Sequence, residues 1–220
     1  MIIIAVHNHK GGIGKTTICG HLAWRASDLG LRSLLITLDR QGDALRWISK
    51  DKKIEMKKPV QNGLLTGLYS PDVMPPDDIL EGYPLVIVDT PPEAGVPEAI
   101  DPDLWVVPVD NRTAIENLMS VVPLMTPKAP CYVVFYTADA GGITTLRGLQ
   151  QAARHVPKVE FYDDVIPFNK SMRRTQVYYE PVWNVPHGEG RSGHRAMLRL
   201  CDAILARAGV INDDGDEGEG

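Results

Sequence analysis

The chain has 220 residues, 44 % apolar and 23 % charged, which suits one compact α/β domain and leaves too little for two full ones. Asp213, Asp214, Asp216, Glu217 and Glu219 supply five of the 28 acidic side chains, so the net charge of −5 belongs to the tail, and residues 1–212 balance to zero. No apolar run approaches the roughly 18 residues of a membrane span and no basic leader precedes Ile2–Val6, which argues against membrane-spanning and secreted classes, and Cys19, Cys131 and Cys201, which lack any C-x-x-C spacing, read as buried small hydrophobes of a reducing cytosol.

In chain order, the first strand is expected over Ile2–His7 and is followed by a glycine-rich loop and a helix over Lys15–Leu29. A second strand, Ser33–Leu38, leads to a short helix over Asp43–Ser49. Lys50–Gly82, with Pro71, Pro75 and Pro76, reads as a loop-rich excursion. Further strands follow at Leu85–Asp89, Leu104–Val109, Cys131–Thr137 and Asp164–Ile166, and helices at Thr113–Val122, Ile143–His155 and Ser192–Ala208. Pro123, Pro127 and Pro130 are expected to break the chain before the Cys131 strand. The strands are nearly continuous in Val, Ile and Leu, as strands covered on both faces are. The alternation predicts an α/β fold, a doubly wound and mostly parallel sheet flanked by helices, over residues 1–211, with 212–220 a disordered acidic tail.

The sharpest chemical signal is Gly11-Gly-Ile-Gly-Lys-Thr-Thr17, placed after a strand and at the start of a helix. Gly11, Gly12 and Gly14 let backbone N–H groups turn toward an anion, with Ile13 carried between them. The helix that starts near Lys15 presents its dipole to the same charge. Lys15 is expected along the β- and γ-phosphates, Thr16 on Mg²⁺ and Thr17 near the α-phosphate. Leu85-Val-Ile-Val-Asp89 ends an apolar strand in a carboxylate, the arrangement that holds magnesium beside phosphates. Asp39 ends another strand on the same side. It either orients an attacking water and joins Thr16 and Asp89 in the metal set, or caps the following helix, as Asp43 could. His7 and His9 read as packing or hydrogen-bonding residues.

Taken together, these boxes resemble the ParA/MinD ATPases. Lys10-Gly-Gly-Ile-Gly-Lys-Thr-Thr17 is similar to their deviant Walker A box, with its additional leading lysine. Leu38-Asp39-Arg40-Gln41-Gly42-Asp43 resembles the D-P-Q-G-N switch, and Val88-Asp89-Thr90-Pro91-Pro92 the D-x-P-P strand end. Trp105-Val-Val-Pro-Val109 resembles the strand that follows, and Val165-Ile-Pro167-Phe-Asn169 the I-P-R-N segment near the base. The resemblance implies an ATP- and magnesium-dependent ATPase of weak basal turnover, whose two subunits close face to face over two ATP molecules. Lys10 would then reach the partner's phosphates. Lys10, Lys15 and Asp39 are the catalytic candidates, and Pro167 and Asn169 join the loop in binding the nucleotide. Arg40 stands in place of the usual proline and Asp43 of the usual asparagine, so the switch backbone is expected to be less restrained. Thr37 stands where many relatives carry aspartate.

Three functions fit this resemblance: a small plasmid-type ParA that positions cargo on nonspecific DNA, a MinD-like membrane-associated ATPase, and a dethiobiotin-synthetase-like ligase. Lys170–Arg207 holds Lys170, Arg173, Arg174, Arg191, Arg195, Arg199 and Arg207 against Glu180, Glu189 and Asp202. That excess is either a solvated face or a polyanion-binding patch. Arg173 and Arg174 are expected in a loop, and Arg191, Arg195 and Arg199 near the last helix. That helix carries an apolar stripe of Met197, Leu198, Cys201, Ile204 and Leu205, which suits packing on the sheet better than a membrane anchor. The first function is preferred. It implies a nucleoid-associated protein of the cytoplasm, partnered by DNA and a ParB-like or other cargo adaptor.

Overall fold

A computed structural model describes residues 1–49, 55–92, 100–110, 113–137, 142–167, 170–185 and 191–212. Its centre is a sheet of eight strands: β1 (Ile2–Val6), β2 (Ser33–Thr37), β3 (Val60–Asn62), β4 (Leu65–Tyr69), β5 (Leu85–Asp89), β6 (Leu104–Val109), β7 (Cys131–Thr137) and β8 (Val159–Pro167). The spatial order is β3-β4-β2-β5-β1-β6-β7-β8, and every pairing is parallel except β3 with β4. The helices are α1 (Lys15–Asp28), α2 (Arg46–Ser49), α3 (Asp77–Leu80), α4 (Thr113–Met125), α5 (Gly142–Ala153), α6 (Lys170–Tyr178) and α7 (Arg191–Arg207).

Strand alternation divides the core between two layers. Ile4, Val6, Leu35, Ile87 and Val106 face α1 and α7, where Ile18, Leu22, Met197, Cys201 and Ile204 are fully buried. Ala5, Leu34, Ile36, Val88 and Val107 face the other layer, which includes Leu80, Val121, Val122, Met125, Leu146 and Leu149. Burying each large aliphatic side chain contributes about 1.5–3 kcal/mol. The α7 stripe is thus occupied by α1 and β8. Among the described residues, no helix is long and apolar enough to cross a membrane.

Several expectations are corrected. The excursion over Lys50–Gly82 contains β3, β4 and α3. Asn62-Gly63 is a hairpin signal, and Gly63 (φ 60°) supplies the left-handed turn that brings β3 back on β4. β4 is short and interrupted by Gly67, which blurs its pattern, yet the glycine is required. A Cβ there would lie 2.8 Å from Leu45 and 3.1 Å from Ile48. Helix α4 continues through Pro123, because Val122 and Met125 bury on either side of it and only one N–H bond is forgone. The helix over Asp43–Ser49 divides into a 3₁₀ turn (Asp43–Leu45) and α2. The last strand is longer than expected, with a register shift against β7 between Val133 and Phe135.

Trp47 of α2 is wedged against α1 at Gly20, where a Cβ would come within 2.2 Å of the indole. His21 lies between Trp47 and Trp183, with ring centroids at 4.9 and 5.4 Å. Its Nδ1 is 2.7 Å from the Thr17 carbonyl, and its Nε2 accepts the Val182 N–H at 3.0 Å. That pair of contacts assigns the proton to Nδ1. Burial lowers the His21 pKa to about 4, so the ring is neutral at physiological pH. His21→Leu removes the acceptor for a buried N–H and two aromatic contacts. It is expected to cost about 2–4 kcal/mol in urea unfolding. An unchanged midpoint would show that water replaces the ring without loss.

Candidate functional site

The site lies at the carboxyl ends of β1, β2 and β5, where the chain leaves β1 toward β2 on one side and leaves the neighbouring β5 toward β6 on the other, the usual place for a ligand crevice in an open α/β sheet. β1 runs into Asn8, whose side chain donates to the Pro108 carbonyl (3.0 Å) and accepts from the Lys10 N–H (3.0 Å). The loop then turns through Gly12 (φ 75°) and Gly14 (φ 93°), a conformation strained for any residue with a Cβ. Gly14 stands at the N-cap of α1, and among the described residues no side-chain cap hydrogen bond closes the first turn. The result is a concave, positively polarised helix start, the form that accepts phosphate.

Lys15 is only 6 % exposed. Its ammonium donates to the carbonyls of Asn8 and Lys10, each at 3.0 Å, so it braces the loop from inside. Burial lowers its pKa, and Asp89 and Asp39 oppose that shift. The Thr16 hydroxyl donates to Asp89 Oδ2 at 3.0 Å. Asp89 is buried, and desolvation raises its pKa to about 7, against the hydrogen bond from Thr16 and the charge of Lys15. A hydroxyl and a carboxylate are hard oxygen donors that fit magnesium. Among the described residues, no group of three or more His, Cys, Asp or Glu is arranged to hold a metal. Thr16 and Asp89 are the side chains that would hold such a cation.

A cleft of about 430 Å³ opens beside the loop. Gly11, Gly12, Gly14, Lys15, Thr16, Thr17 and Asp39 form its floor. Gln41, Asp43, Trp47, Pro92, Gln176 and Tyr179 form its walls. The sequence boxes did not single out Trp47, Gln176 or Tyr179. Gln176 donates to Thr17 Oγ1 (3.4 Å), and Tyr179 lies under the Arg46 guanidinium, 5.5 Å from ring centre to Cζ. Only the buried pair Met172 and Thr175 marked α6 as helical, a stripe too short to read alone.

Ile13 is buried under the loop. Lys10 does not line the cleft; its ammonium pairs with both oxygens of Asp110, at 2.8 and 3.0 Å. Pro167 ends β8 and is absent from the described cleft lining, and Asn169 lies outside the described residues. The hydroxyl of Thr37 is fully buried and makes no hydrogen bond among the described residues. His7 is a packing residue, with Nδ1 2.7 Å from Thr90 Oγ1.

The basic segment also differs from expectation. Arg173 and Arg174 lie on α6, not in a loop. Arg199 pairs with Asp164 at 2.9 Å and Arg207 with Glu160, so β8 offsets part of the positive excess. Arg195 is exposed. The side chains of Arg173 and Arg191 lie outside the described residues.

A family model described as an AAA domain matches residues 1–70. The chromosome-partitioning ATPase Soj of Thermus thermophilus is 33 % identical, over 93 % of this chain and 95 % of its own. The cell division protein MinD of Aquifex aeolicus superposes with a TM-score of 0.72 at 19 % identity, covering 94 % of this chain and 98 % of MinD. The ATP complex of an McdA variant from Cyanothece gives 0.70 at 11 % identity, over 96 % and 98 %. With the glycine loop and the strand-end carboxylates on one doubly wound sheet, and 33 % identity to Soj over nearly its full length, the chain belongs to the ParA/MinD superfamily of partitioning and positioning ATPases.

Proposed function

We propose that this chain is a ParA-type ATPase that closes as an ATP sandwich dimer, binds DNA without sequence preference, and so positions a plasmid, chromosome or other cargo. The observation that carries this is the uncapped start of α1 behind Gly12 and Gly14, with Lys15 buried beneath it and Thr16 joined to Asp89. Lys15 and the loop N–H groups bind the phosphate chain, and Ile13 seats the loop on the core. Thr16, Asp89 and Asp39 hold or orient magnesium, which when bound offsets the negative charge that gathers on the phosphate oxygens. Asp39 orients the attacking water. Pro167 and Asn169 border the nucleoside. The McdA neighbour is described as an ATP complex, which supports ATP as the ligand.

Lys10 leaves Asp110 to meet the phosphates of a second subunit. The pair is about one-third exposed on each side, and such pairs contribute about 1 kcal/mol or less, so its release is cheap. Polyanion binding falls to Arg173, Arg174, Arg191, Arg195 and Arg199 on α6 and the first half of α7. Two copies on one face double the phosphate contacts, and with them the slope of log affinity against log salt, about −0.9 per contact. A ParB-like or other adaptor links the dimer to cargo.

One experiment joins these parts. Asp39→Ala protein is expected to bind ATP, hydrolyse it slowly, sediment as a dimer and retard random duplex DNA at low salt. Adding Lys10→Ala is expected to leave nucleotide binding and return the protein to a monomer that ignores DNA. A dimer in the double variant sinks the sandwich. Pelleting with anionic liposomes while ignoring DNA replaces the DNA function with a membrane one.

A further inference from the structure

The switch segment carries a restraint that its sequence does not announce. Asp39 Oδ1 accepts the Gln41 N–H at 2.9 Å, and the Asp39 carbonyl accepts the Gly42 N–H at 3.0 Å, so residues 39–42 form one tight turn. That turn is held from the corner after β4. The Tyr69 hydroxyl donates to the Arg40 carbonyl at 2.7 Å. The Tyr69 ring also supports Gly42 (φ 67°), where a Cβ would stand 3.3 Å from it. The Asp72 N–H donates to the Leu38 carbonyl (3.1 Å), and the Leu38 N–H to the Asp89 carbonyl (2.9 Å). Both sides of Asp39 are therefore pinned, by bonds that do not depend on the side chain at position 40.

The Arg40 side chain adds little. It meets Asp72 at 2.9 Å, but the two side chains are 77 % and 43 % exposed, and pairs of that exposure hold weakly. The half-buried tyrosine is the firmer contact, because its ring and its hydroxyl engage two successive parts of the turn.

We propose that Tyr69 is a positioning residue for ATP hydrolysis, fixing the Asp39 carboxylate through the Arg40 carbonyl and the backbone of Gly42. This rests on the proposed role of Asp39 in orienting water. Tyr69 is outside the lining of the phosphate cleft, so it acts on turnover through Asp39 and leaves the ATP-binding surface as it is. A group that orients a nucleophile loses rate steeply with small displacement.

The test is Tyr69→Phe, which keeps the ring and removes one oxygen. Turnover is expected to fall about fivefold, the value of one hydrogen bond expressed in the transition state, with ATP affinity by calorimetry unchanged within about twofold. In an Asp39→Ala background the same substitution is expected to cost nothing more, because its target is gone. Wild-type turnover in Tyr69→Phe overturns the proposal, as does an equal loss in the Asp39→Ala background, or a loss of affinity with turnover kept. Wild-type turnover in Asp39→Ala alone removes the role of Asp39 first, and the proposal with it.

Discussion

Lys15→Ala is expected to weaken ATP binding so far that nucleotide just sufficient to saturate the parent leaves the variant mostly empty. The ammonium is 6 % exposed and holds two loop carbonyls from beneath. Truncation removes the cation that would face the phosphates and leaves the Asn8 and Lys10 carbonyls without their donor. Losing one member of a buried, charge-assisted set costs about 2–5 kcal/mol, a fall of roughly 30-fold or more in affinity. A second effect adds to it. Lys15 is one of the influences that keep Asp89 from rising further, so its loss favours the protonated acid and weakens the magnesium donor. Titration calorimetry with magnesium and ATP decides the matter, and parent affinity in the variant would remove the loop as the phosphate site.

Asp89→Asn is expected to stop hydrolysis and, in the absence of nucleotide, to stabilise the fold. Burial raises the Asp89 pKa from 3.8 to about 7. Between those values the folded state holds a proton that the unfolded chain has released. Stability from this group is therefore full below about pH 4 and is lost as pH rises through 7. A tenfold change in proton affinity between the two states corresponds to about 1.4 kcal/mol, so removing the buried charge is worth about 2–4 kcal/mol at pH 8. The asparagine amide still accepts the Thr16 hydroxyl, so little packing is lost. His21 slopes the other way. Its pKa falls from 6.5 to about 4, so its contribution is present above 6.5 and lost as pH drops through 4. The two groups oppose each other in the parent, and the variant is expected to show the His21 slope uncovered. With magnesium and ATP present the gap is expected to narrow, since the parent keeps the carboxylate donor and gains more from the ligand. Denaturant midpoints from pH 4 to 8 read this directly. An Asn variant less stable than the parent at pH 8 would mean that Asp89 is ionised and well paired without a metal.

The sequence by itself determined the strands β1, β2, β5, β6 and β7, the glycine loop, and the two strand-end carboxylates Asp39 and Asp89. These are local facts. A run of Val and Ile closes into a buried parallel strand wherever it lies, and a glycine turn at a helix start makes its anion site from its own backbone. What only the tertiary structure decided are partnerships between residues far apart in the chain. Lys10 meets Asp110 across 100 residues, Arg199 meets Asp164 across 35, and Tyr69 meets Arg40 across 29. Each depends on the strand order β3-β4-β2-β5-β1-β6-β7-β8, which places β4 beside β2 and β8 beneath α7. Strand order follows from how two layers of helices share one sheet, and no stretch of sequence carries it alone. For that reason the glycine loop and the helix that follows it were legible from the sequence, whereas the α6 wall of the cleft, the offset of the basic segment and the hold on Asp39 appeared only when the sheet was assembled.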